Sequence, residues 1–220
     1  MADLFDRLRA AAPEAWDAYT GHPFVTAMAD GTLPAPAFRR YLEQDYLFLL
    51  HFARAYGLAV YKSRSLAEMR AGLEGLKAIL DVELDLHVSL CAGWGLTPEQ
   101  LETAPEAPAT LAYTRYVLET GLRGDLLDLH VALSPCVVGY AEIAHAIGPV
   151  GDDHPYAAWI REYSGEAYAG VAAEARATLD RLAGELLTEA RWPRLAAIFS
   201  EACRLETDFW EMGWTAQGPS

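Results

Sequence analysis

Positive charge is what this chain has least of: 17 Lys and Arg stand against 31 Asp and Glu, for a net charge of −14. A phosphate backbone or an anionic lipid face asks for the opposite balance, so neither nucleic acid nor a membrane surface is an expected partner. Cysteine is scarce as well. Cys91, Cys136 and Cys203 are three in number and lack paired spacing, which suits reduced thiols in the cytoplasm and not a disulfide framework. The stretch that reads as most apolar, Leu47 to Tyr61, is broken by His51 and Arg54, so no segment is expected to cross a bilayer. The N-terminal Met1-Ala2-Asp3-Leu4-Phe5-Asp6-Arg7 lacks the basic-then-apolar order of a signal peptide. Also missing are G-x-x-x-x-G-K-[ST], G-x-G-x-x-G, C-x-x-C and H-E-x-x-H, so no cofactor or metal is expected.

What the chain does have is apolar residues, 52% of 220, enough for one sizeable core. Their spacing is helical almost throughout, and alternating strand patterns are hard to find. Helices are predicted near 3–20, 34–62, 66–92, 108–122, 124–147, 155–164, 168–188 and 192–213, with a short helical turn at 24–29. Loop signals fall at Gly21-His22-Pro23, Gly93-Trp94-Gly95, Thr103 to Pro108 and Gly148 to Pro155. No long Pro, Ser or Gly linker divides them, so the expectation is one all-α domain over residues 1–220.

Three of these helices carry a reactive group where the period calls for an apolar one. In 34–62 the inward stripe runs Phe38, Tyr41, Leu42, Asp45, Leu49, Phe52, Tyr56, Ala59. A carboxylate buried without a partner costs several kcal/mol, so Asp45 is either functional or tied into an internal salt bridge or hydrogen bond. In 124–147, Cys136 and Tyr140 are four apart and share a face. A lone cysteine on such a stripe is ordinarily core. Ser134-Pro135 just before it implies one of two things: a kinked helix, or a new helix whose first turn would favour a Cys136 thiolate. In 192–213, Glu206 falls on the apolar side beside Phe209 and Trp210, where a raised pKa suits acid–base work. Glu201, Asp208 and Glu211 read as solvated charges.

Two other patterns resemble metal ligands. Glu142-Ile-Ala-His145 is an E-x-x-H, but a di-iron helical site needs a second such motif. Glu83 and His87 are four apart in the run Asp81, Glu83, Asp85, His87, which reads as an exposed acidic face with a hydrogen-bonded histidine. A metal enzyme, such as a haem-oxygenase-like oxidase, is the alternative these motifs leave open.

Four blocks stand in order along nearly the whole chain: His22-Pro23-Phe24-Val25 with Asp30-Gly31-Thr32-Leu33-Pro34 and Phe38 to Tyr46; Ser134-Pro135-Cys136-Val137-Val138-Gly139-Tyr140; His154-Pro155-Tyr156 with Trp159 to Tyr163; and Glu206 to Gly213. Together they resemble the TenA (thiaminase II) family. The resemblance implies a haem-oxygenase-like all-α fold without haem or metal, usually a homotetramer. It also implies hydrolysis at the methylene carbon of the aminopyrimidine in thiamin or in 4-amino-5-aminomethyl-2-methylpyrimidine. Carried over by position, Cys136 is the nucleophile, Asp45 and Glu206 are the working carboxylates, and Phe48, Tyr113, Tyr140 and Tyr163 are the rings around substrate. Asp45 is expected to stay ionised against a donor-rich ligand and Glu206 to have the higher proton affinity. Many members have tyrosine where this chain has Phe48, so a ring hydroxyl is missing here and rate or preference is expected to differ. A pyrimidine-binding or regulatory protein using the same residues is the non-catalytic reading.

Overall fold

Twelve α-helices, with no strand among the described residues, make up the computed structural model, which describes residues 3–217. They are α1 Leu4–Ala11, α2 Pro13–Thr20, α3 Pro23–Ala29, α4 Ala35–Lys62, α5 Leu66–Ala78, α6 Leu84–Gly93, α7 Pro98–Thr103, α8 Pro108–Arg123, α9 Leu126–Ile147, α10 Ala157–Ser164, α11 Glu166–Leu186 and α12 Trp192–Trp214. Met1 and Ala2 of the N-terminal reading lie outside the described residues. The chain forms two compact units, Met1–Leu33 with His130–Trp210 and Pro34–Leu129 with Glu211–Ser220.

The predicted helix 3–20 is two helices. Proline at 13 removes a backbone donor and crowds the preceding turn, so the chain leaves helical geometry at Ala12 (φ −135°, ψ 50°) and restarts with Pro13 in the first turn. Residues 98–103, left between loops in the sequence reading, are helical because Thr97 and Gln100 form a reciprocal capping box. The predicted helix 66–92 starts at a second such box, Ser65 with Glu68. It then widens into a π turn over Ile79–Glu83, closed by Leu84 N–H donating to the Ile79 carbonyl. The wider turn takes up one residue more than an α-helical turn, so the α-helical count slips by one between α5 and α6.

Between Tyr41 and Leu49 in the second unit, α4 buries every side chain except Glu43. Buried polar groups there must find partners inside the protein. Gln44 makes three such bonds: its Nε2 donates to the Pro105 carbonyl at 3.1 Å, and its Oε1 accepts from Ala107 N–H and the Thr110 hydroxyl, both at 2.7 Å. One amide therefore fastens the 104–108 loop and the start of α8 to α4. His51 and Arg54, the residues that interrupt Leu47–Tyr61, join Arg115 and Glu106 in a polar cluster. There Arg115 donates to both oxygens of Glu106, at 2.9 and 2.7 Å, and the His51 Nε2 lies 2.7 Å from Glu106.

The helix that meets membrane-spanning length and apolarity is α9, where the sequence reading expected no such segment. Its most apolar window is 78% buried, so the apolarity serves the protein core. Pro135 sits inside this one continuous helix, which begins instead at Asp125, whose Oδ1 accepts from Leu127 and Asp128 N–H. Proline at 135 denies the Val131 carbonyl its usual i+4 donor. The Ser134 hydroxyl supplies one at 2.9 Å. The Pro135 carbonyl accepts from the Tyr19 hydroxyl at 3.4 Å.

Around this, the first unit packs aromatics in contact: Trp210 stacks on Phe24 (5.0 Å) and Tyr140 (5.3 Å), and Tyr19 on Trp210 (6.3 Å). A Cβ at Gly139 would lie 2.5 Å from the Tyr19 ring, and Tyr19 is fully buried. Gly139→Ala is therefore expected to lower stability by about 1–3 kcal/mol through overpacking, read as a reduced midpoint in urea at unchanged slope.

Candidate functional site

Asp45 stands in the buried middle of α4, one turn after Tyr41. The Tyr41 hydroxyl donates to its Oδ2 at 3.0 Å. His87, from α6, brings Nδ1 to 3.5 Å from the same oxygen, while its Nε2 lies 2.9 Å from the Leu42 carbonyl. Both side chains are almost wholly buried. Burial pushes the Asp45 carboxyl up to about 7, against a smaller lowering from the Tyr41 hydrogen bond, and pushes His87 down to about 4. Each group is thus driven toward its neutral form in the absence of a ligand.

The acidic run behaves largely as its sequence implies: Asp81 and Asp85 are exposed, and His87 is hydrogen-bonded. Two residues beyond Asp85 on α6, His87 lies on the opposite side of the helix and is buried. On the next turn of α6, Cys91 is fully buried, and its thiol is raised to about 12 by burial and then by the Asp45 charge. Phe48 and Tyr113 meet in the same unit, with ring centroids 5.0 Å apart at 38°. Phe48 also stacks on Phe52 at 5.5 Å. The cleft beside Phe48, lined by His51, Phe52, Thr114 and Val117, has room for about one water molecule.

The first unit holds Cys136, Tyr140, Tyr163 and Glu206. Cys136 is half-buried one turn before Tyr140, whereas Cys91 and Cys203 have no exposed surface. Because α9 runs unbroken through Pro135, Cys136 is mid-helix, and the helix-start route to a stabilised thiolate does not apply. Tyr140 and Tyr163 meet edge-on at 5.1 Å, and Trp159 closes on Tyr163 at 4.6 Å. Glu206 is buried on α12. Its charge, after burial, helps drive the Cys203 thiol far upward. Arg204, between Cys203 and Leu205, points outward and pairs with Glu201 and Asp208, which confirms those two as surface charges.

The E-x-x-H motif has another role. Glu142 accepts from Arg9 at 3.0 Å and lies 3.5 Å from Arg176, in a network with Asp3 and Asp6, while His145 is exposed. Among the described residues no group of three His, Cys, Asp or Glu side chains is placed to hold a metal ion. The third sequence block is a clasp: His154 Nδ1 accepts from Tyr156 N–H, so its protonated Nε2 donates to the Ala29 carbonyl at 3.1 Å. The Tyr156 hydroxyl donates to the Leu33 carbonyl. This pins the turn at Gly31, whose positive φ of 71° suits glycine.

The all-helical architecture is a haem-oxygenase-like fold: a Shewanella denitrificans domain described as having that fold superposes with a TM-score of 0.74 at 17% identity, over 98% of this chain and 93% of that one. The chain belongs to the TENA/THI-4/PQQC family, whose model matches residues 9–216. It is 37% identical over 202 residues to a Halalkalibacterium halodurans protein named aminopyrimidine aminohydrolase, covering 90% of each. A Silicibacter structure described as a TenA family transcription regulator matches with a TM-score of 0.91 and 43% identity, over 96% of each chain.

The raised Asp45 pKa makes a stability statement. A carboxyl whose folded value lies above its unfolded value, near 4, favours folding below pH 4 and loses that contribution as pH rises through about 7. Asp45→Asn mimics the neutral form, accepting from Tyr41 and offering a donor to His87. It is therefore expected to match the parent near pH 4 and to exceed it by roughly 2–4 kcal/mol above pH 8. Denaturant unfolding across that range checks this.

Proposed function

We propose that the protein is an aminopyrimidine hydrolase of thiamin salvage, acting on 4-amino-5-aminomethyl-2-methylpyrimidine or thiamin and releasing the hydroxymethyl pyrimidine. The full-length likeness to the aminopyrimidine aminohydrolase of Halalkalibacterium halodurans carries this reading. Beside it stands the half-buried Cys136, in a chain whose other thiols are buried and held protonated. The leaving group sits on a carbon outside an electron-poor ring, where direct displacement is slow. Cys136 gives its thiol proton to Glu206 and its sulfur bonds to the ring. The ring electrons expel the amine, which leaves with the proton from Glu206. Water, deprotonated by Glu206, then adds at the exocyclic carbon, the carbon–sulfur bond breaks, and the departing Cys136 thiolate takes that proton from Glu206. Asp45 binds the amidine-like edge, and Tyr140, Tyr163, Tyr113 and Phe48 supply flat apolar walls. The two units interleave in sequence, which supports a chain that works as one domain.

A homotetramer in the cytoplasm is part of the same proposal. Leu66, Met69, Leu73 and Leu80 recur at helical spacing on α5 and the π turn, and all are exposed, as is Tyr61 at the end of α4. Such a row is the kind of face a second copy covers. Three thiols without a disulfide fit a reducing compartment. A regulatory reading keeps one support, the description of the Silicibacter relative as a transcription regulator.

Incubation with the aminomethyl pyrimidine is expected to release ammonia, and a protein that binds the pyrimidine without turnover favours the regulator. Cys136→Ser should fold normally and lose nearly all turnover, with Cys91→Ser and Cys203→Ser close to the parent. Activity surviving in Cys136→Ser would remove the covalent step. Glu206→Gln should cost turnover about 100-fold or more while binding persists. Light scattering should give a tetramer that Leu73→Asp dissociates, and a monomeric parent at micromolar concentration refutes the assembly.

A further inference from the structure

The imidazole of His87 has no part in the hydrolysis described above, yet its setting is specific. A carbonyl oxygen only accepts, so the 2.9 Å contact to Leu42 commits Nε2 of His87 as the donor. In the neutral ring the other nitrogen, Nδ1, then carries a lone pair, and it is this atom that faces Asp45 Oδ2 at 3.5 Å. An ionised Asp45 would set an acceptor against an acceptor in a site closed to water. One proton between them removes the conflict. Oδ2 already accepts from the Tyr41 hydroxyl at 3.0 Å. The π turn immediately upstream brings His87 to this position, and π turns recur where helices serve a site.

We propose that His87 is a positioning residue that keeps one proton on the Asp45 carboxyl, and that a bound aminopyrimidine takes this proton on its ring nitrogen. The second half rests on the function proposed above. The O–H bond of Asp45 breaks and an N–H bond forms on the ring. A carboxylate is left against a pyrimidinium, its charge balanced by the ligand, and no proton is drawn from solvent. Burial supports the assignment, since it favours neutral Asp45 and neutral His87 together.

The other titratable groups around Asp45 do not substitute for His87. Tyr41 shares its helix and donates to it; Cys91 on α6 stays a thiol at neutral pH. Glu102 of α7 acts on Tyr46, and Arg115 of α8 is held by Glu106. Asp81 and Glu83 of the π turn are exposed and half-buried, respectively.

Infrared titration of the ligand-free protein is the first arm. A protonated-carboxyl band absent from Asp45→Asn should titrate near neutrality in the parent. In His87→Asn, whose amide turns a donor toward the carboxylate, its midpoint should fall by about one pH unit or more. An unchanged midpoint, or no such band in the parent, overturns the proposal. Should His87→Asn fail to fold, nitrogen NMR of histidine-labelled parent decides instead: Nε2–H with an accepting Nδ1 supports it, and a proton on Nδ1 at neutral pH overturns it. The second arm is calorimetry with the hydroxymethyl pyrimidine in buffers of different ionisation enthalpy. Near pH 6 the parent should bind with little net proton uptake, while His87→Asn takes up a substantial fraction of a proton. Weaker binding in His87→Asn with unchanged uptake overturns the ligand step. No binding by the parent removes the pyrimidine reading and with it the ligand step, leaving the infrared result to judge His87 alone.

Discussion

Helix α4 is enclosed around Gln44 to Leu49, and every polar atom on that stretch has to be satisfied without bulk water. Much of the second unit is a response to this demand. Gln44 draws in the loop before α8 because only backbone and hydroxyl groups from there complete its hydrogen bonds. Asp45 draws in a tyrosine from its own helix and a histidine from α6. His87 in turn completes its own bonding on the Leu42 carbonyl, so α4 and α6 are joined by a closed polar circuit. Water excluded from such a circuit makes each of its members more sensitive to the loss of another.

The first unit solves a different problem with different material. Its core is aromatic, and the contacts among Phe24, Trp210, Tyr140, Trp159 and Tyr163 are stacked, tilted or edge-on rings that bury large areas with few rotatable bonds. Proline in the middle of α9 is tolerated because its neighbours absorb the cost. Ser134 takes up the orphaned carbonyl, and the absence of a side chain at Gly139 lets Tyr19 approach the helix closely. The residues of the second sequence block therefore divide their duties, with Cys136 and Tyr140 offered as chemistry and Ser134, Pro135 and Gly139 as the geometry that carries them.

How much of this could be read from sequence depended on whether the period was regular. The stripes of α4 and α12 placed Asp45 and Glu206 among apolar side chains, and both are buried. The Tyr41–Asp45 contact was implicit in their four-residue spacing. Pro13 was as visible as any residue, yet a break after eleven residues was masked by apolar spacing that continues on both sides. The helix at 98–103 was carried by its cap and not by a stripe. His87 was hidden by the acidic run around it, although two residues beyond the exposed Asp85 it lies across α6, on the buried side.

The π turn before α6 also bears on how the chain can change. Each residue advances an α-helix by about 100°, so a residue lost from the regular turns between Leu84 and His87 would swing His87 and Cys91 away from α4 together. Lost from the π segment it would leave their facing unchanged, because an i→i+5 turn takes up one residue more than an α-helical turn. Length can therefore drift in the loops at either end of this long helical arm without touching Asp45. Ile79–Glu83 behaves instead like a slack link, taking up one residue without turning the helix beyond it.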